Sequence, residues 1–224
     1  KVSEDGLTYT IPIRAGVKFH DRTDFTAEAM SFSLKRFIAL KGNPSFLLAD
    51  VVKSIRVTSP TELVIKLKRP FQFFPQILAF TGAGAISPQA YSGDGKKNFL
   101  PKKIVGTGPY QLTQYIEGNI LRLAAFPDYW GQKPVNKGID IQFLSSTANL
   151  LNAFKTGSVD VAFQTLSPTQ IHNLEANAGK NGWTVASNQG STMLFMVLNV
   201  EQPPLNNVKV RQAIAAAIDR PLIQ

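Results

Sequence analysis

Two histidines, fifteen Asp and Glu residues and no cysteine are the groups from which this 224-residue chain would have to assemble an acid–base or metal centre. His20 stands beside Asp21, but adjacency alone makes no relay, because a triad brings carboxylate and imidazole together in space and in orientation. His172 falls among Asn173 and Glu175 on a helical stretch. Metal ligation wants several His, Cys or carboxylates converging at short spacing, which two distant histidines and scattered acids do not supply. Without a thiol there is neither cysteine nucleophile nor disulfide, and no motif ties two acids together for glycosidic chemistry. Val105-Gly106-Thr107-Gly108-Pro109-Tyr110 offers two glycines but lacks the third, the Lys-Ser/Thr pair and a following helix of a phosphate loop, so a tight reversal entering a strand is expected. The expectation is a binding protein, not an enzyme, with no metal and no cofactor.

The elements that would position a binding site are legible in part. Thr8 to Ile13 alternates polar and apolar, and Val17 to Phe19 follows the turn at Ala15-Gly16, which predicts a short hairpin; Pro12 belongs on an edge strand. Thr26 precedes Met30, Leu34, Phe37 and Ile38 at helical spacing, with Glu28 in the first turn, which predicts a capped helix. Hairpins are expected for Val51–Val57 with Glu62–Leu67 and for Tyr110–Tyr115 with Asn119–Ala125, and Gly138–Phe143 adds a strand. From about residue 145 the pattern changes to alternating helix and strand. Helices are expected over Thr147–Thr156 before Gly157, after Ser167-Pro168, and over Val208–Ile218 behind Asn206 or Asn207; strands over Val159–Phe163, Trp183–Ala186 and Met193–Val200. The fold class is therefore α/β (α+β), with a strand-rich part over 1–145 and a partial α/β lobe over 146–224.

Hydrophobic content of 44% over this length allows a real core, and no apolar run approaches the roughly 20 residues of a membrane span. The net charge of +9 is uneven: residues 1–140 carry 19 Lys and Arg against 11 acids, residues 141–224 carry 5 against 4. Its dense spots, Lys66 to Arg69 and Lys96-Lys97 with Lys102-Lys103, have no interleaved aromatics, so a solvated surface is favoured and no nucleic-acid partner is expected. The start at Lys1-Val2-Ser3 shows neither an initiator Met nor a leader, as a processed or trimmed N-terminus would.

Several separated segments together resemble one family. Val2 to Thr10, Ile13 to Asp21, Phe25 to Glu28 with Phe32 to Arg36, Gly106 to Tyr110, Tyr129 to Pro134, Phe154 to Asp160, and Leu198 to Val200 with Pro203 to Arg220 are similar, in order, to motifs of the family 5 solute-binding proteins of peptide and nickel ABC importers. Arg22, Asp24 and Ala29 depart from the family's usual Gly, Pro and Asp. The resemblance implies a periplasmic-binding-protein-like type II fold, of which 1–145 is the extra domain and 146–224 part of one lobe. It also implies a piece from the first half of a longer protein, without the second lobe.

That family resemblance implies a periplasmic or cell-surface protein that captures peptides or similar solutes and delivers them to permease subunits, meeting the membrane only through the transporter or a lipid anchor. For the site, Phe195 corresponds to an aromatic that faces the solute cleft in relatives, or else is a core aromatic on a central strand. Gln189, Gly190 and Ser191 lead into that strand, where open α/β lobes hold ligands. Phe80, Thr81 and Gly82 correspond to a segment that reaches the cleft in some relatives, or form an ordinary loop.

Overall fold

The computed structural model describes residues 1–42, 44–94, 103–187 and 195–220. Contacts divide the chain into two units, Lys1–Asp160 and Val161–Gln224, each treated by itself below.

In the first unit, three strands, β1 (Thr8–Pro12), β2 (Val52–Ser59) and β3 (Glu62–Leu67), form an antiparallel sheet in the order β1-β3-β2. The β2–β3 hairpin turns at Pro60-Thr61, as its turn chemistry predicts. The hairpin expected between Thr8–Ile13 and Val17–Phe19 does not form. β1 instead pairs with β3, Tyr9 opposite Ile65 and Pro12 opposite Glu62, while Lys18 bridges Asp24. A long-range ladder wins because it buries Tyr9 against the core that β3 carries. Pro12 sits on an edge strand, where a missing amide costs least. The open side of β1 is covered by the first residues: Thr10 N donates to Lys1 O and Ser3 N to Thr8 O.

Helix α1 (Ala27–Leu40) starts where Thr26 Oγ1 accepts the Ala29 amide, and it packs on β2 and β3. Its buried face meets the alternating Leu63, Ile65 and Leu67 of β3, with Leu48 of α2 (Phe46–Ala49) and Phe74 of α3 (Phe74–Leu78) completing the core. Each such fully buried side chain contributes about 1.5–3 kcal/mol of transfer free energy. Ser33 Oγ donates to Ala29 O and accepts the Ile86 amide at 3.0 Å, which ties α1 to the segment before α4 (Pro88–Tyr91).

A second antiparallel sheet, β4 (Tyr110–Ile116), β5 (Ile120–Ala125) and β6 (Gly138–Gln142), follows in the order β4-β5-β6, with Gly118 at φ +66° closing the first turn. Helix α5 (Thr147–Lys155) starts with Asn149 N donating to Ser146 Oγ and ends before Gly157 at φ +73°.

The second unit has α6 (Pro168–Asn181) and α7 (Val208–Ala217). Ser167 and Gln170 form a reciprocal capping box at α6, and Asn207 caps α7. The strands expected at Val159–Phe163 and Trp183–Ala186 are not formed, and 195–200 is likewise irregular; residues 193 and 194 lie outside the described residues. A strand needs a neighbour to take up its amides, and no strand pairs with these segments among the described residues. Several of their apolar side chains are exposed, Val161 and Phe163 each at 70%.

Arg22 adopts φ +66°, a conformation that costs an L residue about 1–2 kcal/mol. Its ion pair with Asp128, at 4.0 Å on the surface, returns little of that. Arg22→Gly relieves the strain against the entropy of a freer unfolded chain, so we expect it to raise stability by about 0.5–1 kcal/mol. A urea midpoint equal to or below that of the parent would contradict this.

Candidate functional site

The segment Phe80-Thr81-Gly82 leaves α3 and forms a single 3-10 turn over Thr81–Ala83, closed by Ala83 N on Phe80 O at 2.9 Å. Ala83 is anchored in the core; Phe80 and Thr81 are exposed. Gly82 lies between rings: a Cβ there would stand 2.7 Å from Phe37 Cε2 and 2.8 Å from Phe80 Cε1. A side chain at this point would therefore require the Phe37 or Phe80 ring to shift. Phe73, ring to ring with Phe71 at 5.9 Å, adds another exposed aromatic on the same stretch.

Phe195 belongs to the second unit and is 75% exposed, so it is not a core aromatic in this chain. Gln189, Gly190 and Ser191 lie outside the described residues. The structure thus brings Phe80, Thr81 and Gly82 together on one turn and leaves Phe195 as a free aromatic of the other unit.

His20 and Asp21 form no relay, because each is engaged elsewhere. The imidazole faces the Gly106–Gly108 turn, with Nε2 3.0 Å from Gly108 O and Nδ1 accepting the Gly106 amide. The Asp21 carboxylate accepts from the fully buried Ser87 hydroxyl and from the Thr23 hydroxyl and amide. Burial opposes the charge on Asp21, yet these hydrogen bonds together outweigh it and hold the carboxyl below the ordinary Asp range. The stability this contributes is present above the ordinary Asp value and is lost as pH falls through the lowered one.

The Gly106 to Pro109 segment acts as a scaffold. Trp130 Nε1 donates to Thr107 O at 3.0 Å, Phe126 N donates to Pro109 O, and the Arg14 guanidinium stacks over Trp130 at 4.8 Å. No local spacing signals these contacts, since His20, Ser87, Gly106 and Trp130 are far apart in sequence. His172, on α6, is exposed and 3.8 Å from Glu175. Among the described residues no three His, Cys, Asp or Glu side chains form a group that could hold a metal ion.

What these residues can do chemically is present surfaces, aromatic ones above all. The backbone is similar to that of solved binding proteins. Among them are NikZ from Campylobacter jejuni in complex with Ni(L-His), at a TM-score of 0.81 and 21% identity, and the dipeptide binding protein from Pseudoalteromonas sp. SM9913 in complex with Met-Leu, at 0.77 and 23%. The alignments cover 100% and 98% of this chain but 44% and 46% of those proteins, and they establish the type II periplasmic-binding-protein fold over that part. The family profile described as bacterial extracellular solute-binding proteins, family 5 Middle, matches residues 1–224, and the chain belongs to this family. The glutathione-binding protein GsiB of Escherichia coli (strain K12) is 36% identical over 230 residues, covering 99% of this chain and 43% of GsiB; that of Salmonella typhimurium is 35% identical. The chain thus spans a little over two fifths of the length of these relatives.

Proposed function

We propose that this chain is part of the solute-binding component of an ABC importer, which captures peptides or similar small solutes outside the cytoplasmic membrane and passes them to permease subunits. The observation that carries this is the family match along the whole chain, supported by its likeness to glutathione-binding proteins and to a dipeptide-binding structure. No described helix is long and apolar enough to cross a membrane, which suits an extracytoplasmic protein that meets the membrane through its transporter. Solute capture without turnover agrees with the engagement of His20 and Asp21 in structural hydrogen bonds.

In this reading residues 1–145 serve as the family's extra domain and 146–224 as part of one lobe. Phe80, Thr81 and Gly82 of the first unit and Phe195 of the second are each candidate solute contacts, as are Gln189, Gly190 and Ser191 outside the described residues, while affinity depends on a second lobe closing over the solute and excluding water. Calorimetry of the complete protein against dipeptides, oligopeptides, nickel chelates and sugars tests the reading; binding of sugars alone would end it. Residues 1–224 by themselves should bind the same solute at least a hundredfold more weakly. In the complete protein, Phe195→Ala should weaken binding about tenfold, the contribution of one aromatic contact, while leaving the thermal midpoint within about 2 °C. Unchanged affinity would remove Phe195 from the cleft.

A further inference from the structure

Of the asparagines in the sequence, Asn181 alone is followed by glycine, and the Asn181-Gly182 step closes α6. Such a step carries its own chemistry. Glycine has no Cβ to shield its amide nitrogen, so that nitrogen can reach the carboxamide carbon of the preceding side chain and close a five-membered ring. Both residues are exposed, and nothing lies within 4 Å of where a Cβ of Gly182 would stand. Water and base therefore have access to the step.

The end of the helix holds the two reacting groups in separate hydrogen bonds. Gly182 N donates to Ala178 O, and Trp183 N donates to the same carbonyl at 3.1 Å. The Asn181 carboxamide is engaged elsewhere, with Nδ2 donating to Asn177 O at 2.9 Å. Ring closure needs the Gly182 amide free of Ala178 and the carboxamide free of Asn177, so it waits for the last turn to open. Gly179 lies within that turn, where a glycine weakens the helix relative to alanine.

We propose that Asn181 is a site of spontaneous deamidation whose rate is set by the opening of the last turn of α6. In the opened turn a base removes the Gly182 amide proton and the nitrogen attacks Asn181 Cγ. The new N–Cγ bond replaces the Cγ–Nδ2 bond, and Nδ2 takes up a proton and leaves as ammonia. Water then opens the cyclic imide at either of its carbonyls, which gives aspartate or, with the backbone rerouted through the side chain, isoaspartate. Either product puts a carboxylate at the negative end of the helix dipole and removes the donor to Asn177 O, so the modified turn closes less well than before.

Incubation of the folded chain at pH 8, followed by peptide mapping in a mass spectrometer, tests this. The peptide holding Asn181 should gain the mass of an amide-to-acid exchange before any other asparagine does, and Asn181→Gln should abolish that early gain. In urea that unfolds the chain the conversion should run about tenfold faster than in buffer, because no helix end has to open first. Gly179→Ala should slow it about two- to fivefold in buffer, the helix propensity of alanine over glycine expressed as a rate, and leave the rate in urea unchanged. Earlier conversion at another asparagine of the folded chain would overturn the site. Equal rates in buffer and urea, or no slowing by Gly179→Ala, would overturn the control by α6.

Discussion

Phe74→Ala is expected to cost the chain about 3–5 kcal/mol, a large part of the 5–15 kcal/mol that holds an ordinary domain together. Phe74 is fully buried, and its ring meets Tyr9 edge-on at 4.8 Å within the cluster that joins β1, β3 and α1. Truncation removes the transfer free energy of the ring and leaves a hole that rigid strands on one side cannot fill. Tyr9 also loses its packing partner, while its hydroxyl stays near Phe71 O at 3.3 Å. In a thermal scan the midpoint should fall by about 10 °C. A fall under about 2 °C would mean that the first unit is not held by this core.

Gly138→Ala should act through the backbone. A Cβ at Gly138 would stand 2.4 Å from the Leu123 carbonyl oxygen and 3.4 Å from Ala124 Cα, and neither belongs to a side chain that can rotate away. β6 begins here, with Gly138 opposite Ala124 and Ala125 N donating to Lys137 O, so the clash must separate the ends of β5 and β6. A cost of about 3 kcal/mol is expected, with exchange protection lost first along β6. Gly179→Ala, in α6 with nothing within 4 Å of the added carbon, should instead stabilise by about 0.5–1 kcal/mol, the helix propensity of alanine over glycine. If the two substitutions behaved alike, the close approach at Leu123 would be wrong.

Elements with their own local signals were legible in the sequence. Thr26, Ser167-Pro168 and Asn207 mark helix starts by side-chain chemistry, and Gly157 and Gly118 mark turns by a left-handed backbone. Ser87-Pro88 carries the same start signature and opens α4, a helix too short for apolar periodicity to reveal. Pairings between distant segments were not legible, because period-two alternation says that Thr8–Ile13 is a strand without saying which strand receives it. The apolar stretches of the second unit show the converse limit: Phe195, Met196 and Val197 have strand-like residues, yet without a neighbouring ladder they remain irregular and exposed. For the candidate site, the turn at Phe80–Gly82 follows from its small residues, whereas the crowding of Gly82 by Phe37 depends on how α1 crosses the sheet.

The backbone contacts of Lys1 and Ser3 with β1 bear on how this protein behaves in crowded solution. An open strand edge is a template on which a second molecule can align its own strand, the first step toward ordered aggregates. Here that template is already occupied on one flank by the chain's own first residues, and Pro12 removes a donor at the end of the same strand. On the opposite flank β2 presents Lys53 and Arg56. Two molecules meeting edge to edge would bring like charges together there, so the sheet resists growing from either side.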